Sequence, residues 1–122
     1  MELKPIIWMG SSKNDLSEFP NIIKSELGYG LYYAQIGRQH VHSKPLKGFG
    51  GASVLEIIES DESGTFRLVY TIKMPKAIFV LHAFQKKSKH GIETPIKEIE
   101  LIKKRLKEAK ELYKEYIHGN KI

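Results

Sequence analysis

Cysteine is absent from this chain. Disulfide stapling, thiolate metal sites and cysteine nucleophiles are excluded together, and the absence fits a reducing compartment. No apolar run approaches the roughly 18 residues that a membrane-spanning helix needs, and the opening Met1-Glu2-Leu3-Lys4-Pro5 lacks a signal-peptide pattern. A cytoplasmic protein with no membrane contact is expected. The sequence also lacks a Gly-Lys-Ser/Thr phosphate loop and a nucleophile elbow, and Gly28-Tyr29-Gly30 lies inside a helical pattern rather than between a strand and a helix. Acidic residues are missing from two stretches. None falls between Glu26 and Glu56, where Arg38, His40, His42, Lys44 and Lys47 stand, and none from Phe84 to Ile92, which carries Lys86, Lys87, Lys89 and His90. A run of like charge is ordinarily a solvated face, but two uncompensated basic windows in one small chain point to a phosphate-binding surface.

What is present is ordinary for a folded protein. The 122 residues are 41% hydrophobic and 28% charged, enough to bury one core without metals or disulfides and too apolar for disorder. A single domain over residues 1–122 is expected. Twenty Lys and Arg against fourteen Asp and Glu give a net charge of +6, a field that attracts polyanions.

The pattern along the chain predicts mixed secondary structure. Pro5-Ile6-Ile7-Trp8-Met9 reads as a first strand ending at Gly10, and Ser11, Ser12, Asn14 and Asp15 are available caps for a helix from Leu16. Pro20 interrupts that helix, which resumes through Ile22, Ile23, Leu27, Leu31 and Ala34 and stops near Gly37. The stretch from Arg38 to Gly51 has no clear period and reads as a loop. Three strands follow, Ser53 to Ser60, Thr65 to Met74 and Ala77 to Gln85, with turns at Asp61-Glu62-Ser63-Gly64 and Pro75-Lys76. Thr94 can cap a last helix from Pro95, whose apolar positions are Ile99, Ile102, Leu106, Ala109, Leu112 and Tyr116. Its lysines and glutamates form i,i+4 pairs such as Glu100 with Lys104 on a solvated face.

Turn arithmetic then places side chains. A two-residue loop at Pro75-Lys76 sets Ile72 against Phe79, Tyr70 against Leu81 and Leu68 against Ala83, one apolar face. On the other face Arg67 meets Phe84, with His82 and Lys86 on its diagonals at ~7 to 8 Å. A turn centred on Glu62-Ser63 brings Ile58 opposite Arg67 and Glu56 opposite Val69. Glu56, Arg67, His82 and Lys86 are thereby gathered on one face, unless a bulge intervenes. Cations and an imidazole on a sheet suit a phosphodiester, because they bind it, neutralise it and exchange protons with it, so RNA is the favoured substrate. His40 and His42 have a chelating i,i+2 spacing, with His90 or His118 as a third ligand, but no cysteine or carboxylate is spaced to complete a site. No metal and no cofactor are expected.

The order Trp8, Ser11-Ser12, Asp15-Leu16, Phe19-Pro20, Gly28, Leu31, Gln35, Gly37, Lys44 and Leu46-Lys47-Gly48 continues through Val54-Leu55-Glu56 and Phe66-Arg67-Leu68-Val69-Tyr70. It ends with Leu81-His82-Ala83-Phe84-Gln85-Lys86-Lys87, Thr94-Pro95 and Arg105-Leu106. Over nearly its whole length the chain thus resembles the RelE/HigB-like toxins of type II toxin-antitoxin systems, in particular the phage-derived branch of HigB-like proteins. The resemblance implies an α+β fold with a RelE-like antiparallel sheet of about four strands, an N-terminal helix pair and a long C-terminal helix. It further implies a metal-independent endoribonuclease that cuts mRNA, commonly on the ribosome, and a cognate antitoxin, often with a helix-turn-helix domain.

By the same resemblance, Arg67 matches the strand arginine that would grip two phosphate oxygens. Lys86 and Lys87 match the basic pair after the last strand, placed to neutralise developing charge, and Lys44 and Lys47 match basic loop positions that would hold the RNA backbone. Arg38, Lys89 and His90 join them as RNA contacts. His82 reads either as a general acid or base or as a hydrogen-bonded core residue. Glu56 is a base or the partner that orients Arg67, and Phe84 stacks a base or fills the core. The wider family often places a tyrosine or histidine near a C-terminal strand, whereas this chain ends in a long helix. Two other readings stand beside the endonuclease: a non-catalytic module of the same fold that binds nucleic acid or an acidic partner, and a phage structural or assembly protein.

Overall fold

The structure is a computed structural model that describes residues 2–50, 53–86 and 94–118. Its elements in chain order are β1 (Ile6–Trp8), α1 (Ser12–Ser17), α2 (Asn21–Gln35), β2 (Ser43–Pro45), β3 (Val54–Asp61), β4 (Gly64–Thr71), β5 (Ile78–Lys86) and α3 (Ile96–His118). The α+β class and the positions of α2 and α3 agree with the sequence reading, whereas the first helix, expected to begin at Leu16, runs from Ser12 to Ser17 and takes in three of its four expected caps. The sheet departs from that reading: among the described residues it has five strands in the order β1-β5-β4-β3-β2, with β1 parallel to β5 and the other pairs antiparallel. The extra strand, β2, lies within the basic window read as a loop. Three residues ending in proline carry no alternating pattern, and proline at the end of an edge strand leaves no ladder bond unmade.

Pro20 is the N-cap of α2, with extended backbone at ψ 146°, so it starts one helix rather than bending a longer one. Ser11 stands before α1, but its hydroxyl donates to Asp15 Oδ2 at 2.7 Å instead of capping the backbone. In α3 the apolar contacts run through Ile99, Ile102, Leu106, Ala109 and Tyr113, while Leu112, expected inside, is exposed.

The β3–β4 turn falls where the arithmetic put it. Asp61 Oδ1 accepts the Ser63 N–H at 2.8 Å, and Ile58 opposes Arg67 and Glu56 opposes Val69. The β4–β5 register also follows the expected count from Thr65/Lys86 to Val69/His82 and then slips by one, so Tyr70 faces Val80 and Thr71 faces Phe79. Leu81 is the extra residue of a β-bulge. The expected pairs Tyr70–Leu81 and Ile72–Phe79 are therefore corrected, because the chain from Ile72 to Ala77 is longer than a two-residue loop and the bulge absorbs the difference.

The bulge also redistributes the faces. Leu55, Ile57, Leu68, Tyr70, Val80 and Ala83 join Leu27 and Leu31 of α2 in one core. Val54, Val69, Phe79, Leu81 and Phe84 join Ile102 and Ala109 of α3 in the other. With both faces covered, β5 is buried along almost its whole length, which explains its near-continuous apolar sequence. On the α2 side Gly30 gives close approach, since a β-carbon there would lie 2.6 Å from Ile57 Cδ1.

Arg105 fastens α3 to the bulge. Its Nη1 donates to the Leu81 carbonyl at 3.0 Å and to His82 Nδ1 at 3.3 Å, and its Nη2 to Ser11 Oγ at 3.3 Å. Room for the guanidinium comes from Gly10, where φ is 53° and a β-carbon would sit 2.6 Å from Arg105 Nε. Gly37 has φ 81° but open space around it. We expect Gly37→Ala to cost about 1 kcal/mol, the penalty of a left-handed residue. Gly10→Ala should cost roughly 2 to 4 kcal/mol, because Arg105 also loses buried hydrogen bonds. Urea denaturation of the two variants compares them, and equal costs would show that Arg105 gives way freely.

Candidate functional site

The α3-facing side of the sheet carries a cleft of about 420 Å³ between β2, β3 and the start of α3, lined by Lys44, Pro45, Leu46, Lys47, Glu56, Thr94 and Ile99. Lys44 is the direct cross-strand partner of Glu56. Both lysines are exposed, while Glu56 is buried at the cleft wall. Behind it, Arg67 Nη1 donates to Glu56 Oε1 at 2.8 Å, with both side chains 5% exposed. Two cationic side chains at a cleft thus face a carboxylate whose position is fixed by a buried guanidinium.

The other expected residues are distributed as follows. Lys86 is buried on β5, and Arg38 is exposed just beyond α2. Phe84 belongs to the core beneath α3, its ring stacked on His82 with centroids 4.7 Å apart. Lys87, Lys89 and His90 lie outside the described residues.

His82 is engaged at both ring nitrogens. Nδ1 faces the donor Arg105 Nη1, so it accepts, and Nε2 therefore carries the proton and donates to Glu98 Oε1 at 3.1 Å. Burial holds its pKa below the usual 6.5, against the opposing pull of Glu98. The contact with Glu98 is accordingly a hydrogen bond of a neutral ring, and it ties β5 to the first turns of α3. His82 is buried and is not among the residues that line the cleft. Glu98 and Arg105 were not recognised as its partners from sequence, because their meeting depends on how α3 lies across the sheet.

Thr94 and Ile99, likewise unflagged as site residues, line the cleft. A second grouping is more informative still. One ring nitrogen each of His40 and His42 and an oxygen of Glu59 lie within 4.8 Å of one another. The expectation that no carboxylate completes the histidine pair is corrected, since β2 pairs with β3 and brings Glu59 beside His42.

A family profile, "Phage derived protein Gp49-like (DUF891)", matches residues 14–107. The chain belongs to that family, the phage-derived group toward which the sequence motifs pointed. Among curated proteins no relative matches it. Among solved structures it is similar to a chain from the RelBE2 toxin-antitoxin complex of Mycobacterium tuberculosis, with 19% identity and a TM-score of 0.46 over 72% of this chain and 97% of that one.

Two measurements follow. Glu56 and Arg67 form a buried ion pair, so Glu56→Ala and Arg67→Ala should each cost about 3 to 5 kcal/mol while the double variant costs clearly less than their sum; additive losses would show that the pair is not coupled. For His82, the folded pKa lies below the unfolded one, so the unfolded chain binds the extra proton first. Its contribution is complete above about pH 6.5 and is lost as pH falls toward the depressed folded value. His42 acts in the opposite sense, its pKa raised by the Glu59 hydrogen bond. The stability difference between wild type and His82→Gln should therefore shrink between pH 7 and pH 5, and a difference flat with pH would refute the neutral-ring assignment.

Proposed function

We propose that this protein is the toxin of a toxin-antitoxin pair and an endoribonuclease that cuts mRNA, on the ribosome, without a metal ion. The observation that carries the reading is the cleft in which exposed Lys44 and Lys47 face Glu56, itself held by Arg67. Membership of the phage-derived family and the chain's net charge of +6 support it.

The chemistry is that of an internal phosphoryl transfer. A ribose 2′-hydroxyl attacks the adjacent phosphorus, the bond to the 5′-oxygen breaks, and a cyclic phosphate and a 5′-hydroxyl end result. Glu56 takes the 2′-hydroxyl proton, the general-base role worth roughly 10²- to 10⁴-fold. Lys44 and Lys47 hold the phosphate and stabilise the negative charge of the pentacoordinate transition state. Their ammonium protons are at hand for the departing oxygen. Arg67, buried behind the cleft wall, positions Glu56 through its hydrogen bond to Oε1. A partner that neutralises such a surface carries an acidic segment, the expected feature of the antitoxin.

Induction of the wild-type chain should generate new 5′-hydroxyl RNA ends in translated frames within minutes. Lys44→Ala/Lys47→Ala, whose exposed side chains are dispensable for folding, should lower their yield by roughly 10²-fold, and Glu56→Gln and Arg67→Ala should lower it at least as far. Circular dichroism separates lost chemistry from lost fold. A soluble, abundant wild type that produces no new ends would replace the enzyme with a non-catalytic binding module.

A further inference from the structure

We propose that His40, His42 and Glu59 form a binding site for a transition-metal dication of the Zn²⁺ type, separate from the cleft. Glu59 pairs across the sheet with Phe66 of the α2-side core, whereas Glu56 points to the α3 side. The two sites therefore lie on opposite faces of β3.

The three ligand atoms converge already, lying within 4.8 Å of one another. Ligands bound ~2.0 to 2.2 Å from a tetrahedral ion are a little closer than that, a change within reach of small side-chain rotations. His42 Nδ1 and Glu59 Oε2 stand 2.7 Å apart, sharing the proton that an ion would displace. His42 is 53% exposed at its side chain, which leaves an entry path and room for water to complete the coordination.

His40 is held in place before any ion arrives. Its ring is buried, packed edge-on against Tyr29 and Tyr33 of α2 with centroids 5.9 and 5.5 Å away, and its Nδ1 accepts the His42 N–H at 3.0 Å. Ligation exchanges that hydrogen bond for a metal bond, so the affinity is moderate. Two imidazoles and one carboxylate suit Zn²⁺, Ni²⁺ or Cu²⁺ and not Mg²⁺, which prefers oxygen ligands throughout.

The site has a structural consequence. His40 and His42 flank the turn that leads into β2, and Ile58 N–H already bonds the His42 carbonyl at 3.3 Å. An ion spanning this turn and Glu59 pins the edge strand whose next-but-one residue after His42 is Lys44. Metal occupancy thus restrains the strand that presents a lysine to the cleft.

Calorimetric titration of the tag-free, chelator-stripped full chain with Zn²⁺ tests the proposal, with Co²⁺ absorption reporting the coordination. One saturable equivalent is expected. His42→Ala and Glu59→Gln should each weaken it by at least roughly tenfold, His118→Ala should leave it unchanged, and Mg²⁺ should give no binding heat. Circular dichroism of the variants verifies folding. Absence of saturable Zn²⁺ binding in the wild type, or binding that survives both ligand substitutions, would overturn the site.

Discussion

The burial of β5 on both faces, with one extra residue inserted at Leu81, is the constraint from which the rest of the molecule follows. A strand paired with β1 on one side and β4 on the other has no free edge, and its two faces must be filled by α1 and α2 on one side and α3 on the other. The bulge changes which residues each layer receives. Below it Ile78 and Val80 serve the α2 core; beyond it Ala83 does, while Leu81, Phe84 and the His82 ring turn toward α3. Arg105 is the device that makes the irregularity stable, since it satisfies the Leu81 carbonyl that an extra residue removes from the regular ladder.

Charge is handled in two ways on this framework. Inside, ionisable groups come in matched sets: Arg67 with Glu56, and His82 between Arg105 and Glu98. Such sets contribute position more than net stability, because desolvation offsets most of the attraction. Outside, Lys44 and Lys47 remain in water at the mouth of the cleft. The division gives a fixed carboxylate beside adaptable cations. It also shifts emphasis within the candidate set, from Arg67 as the group that touches phosphate to Arg67 as the group that holds Glu56.

The edge strand β2 connects the two candidate sites. One of its flanks carries the histidines beside Glu59, and its middle residue, Lys44, opposes Glu56. Three residues of ladder are a weak attachment on their own, so whatever binds at either end influences where the lysine stands.

Periodicity and turn chemistry were sufficient to read much of this from the chain alone. Residues at 3.6 spacing marked α2 and α3, and the Asp61 turn fixed the β3–β4 register. The contact between Glu56 and Arg67 followed from counting across one short turn. Longer-range features were not legible. β2 was hidden because three residues ending in proline have no period, and with it went the approach of Glu59 to the histidines. The bulge at Leu81 was invisible because it answers to the packing of α3 and the reach of Arg105. Local sequence determined which elements form and which faces are apolar, since those depend on neighbours a few residues apart. Only the tertiary structure decided which buried charge meets which partner, because that depends on the register of strands and the seat of a helix that lie far apart in the chain.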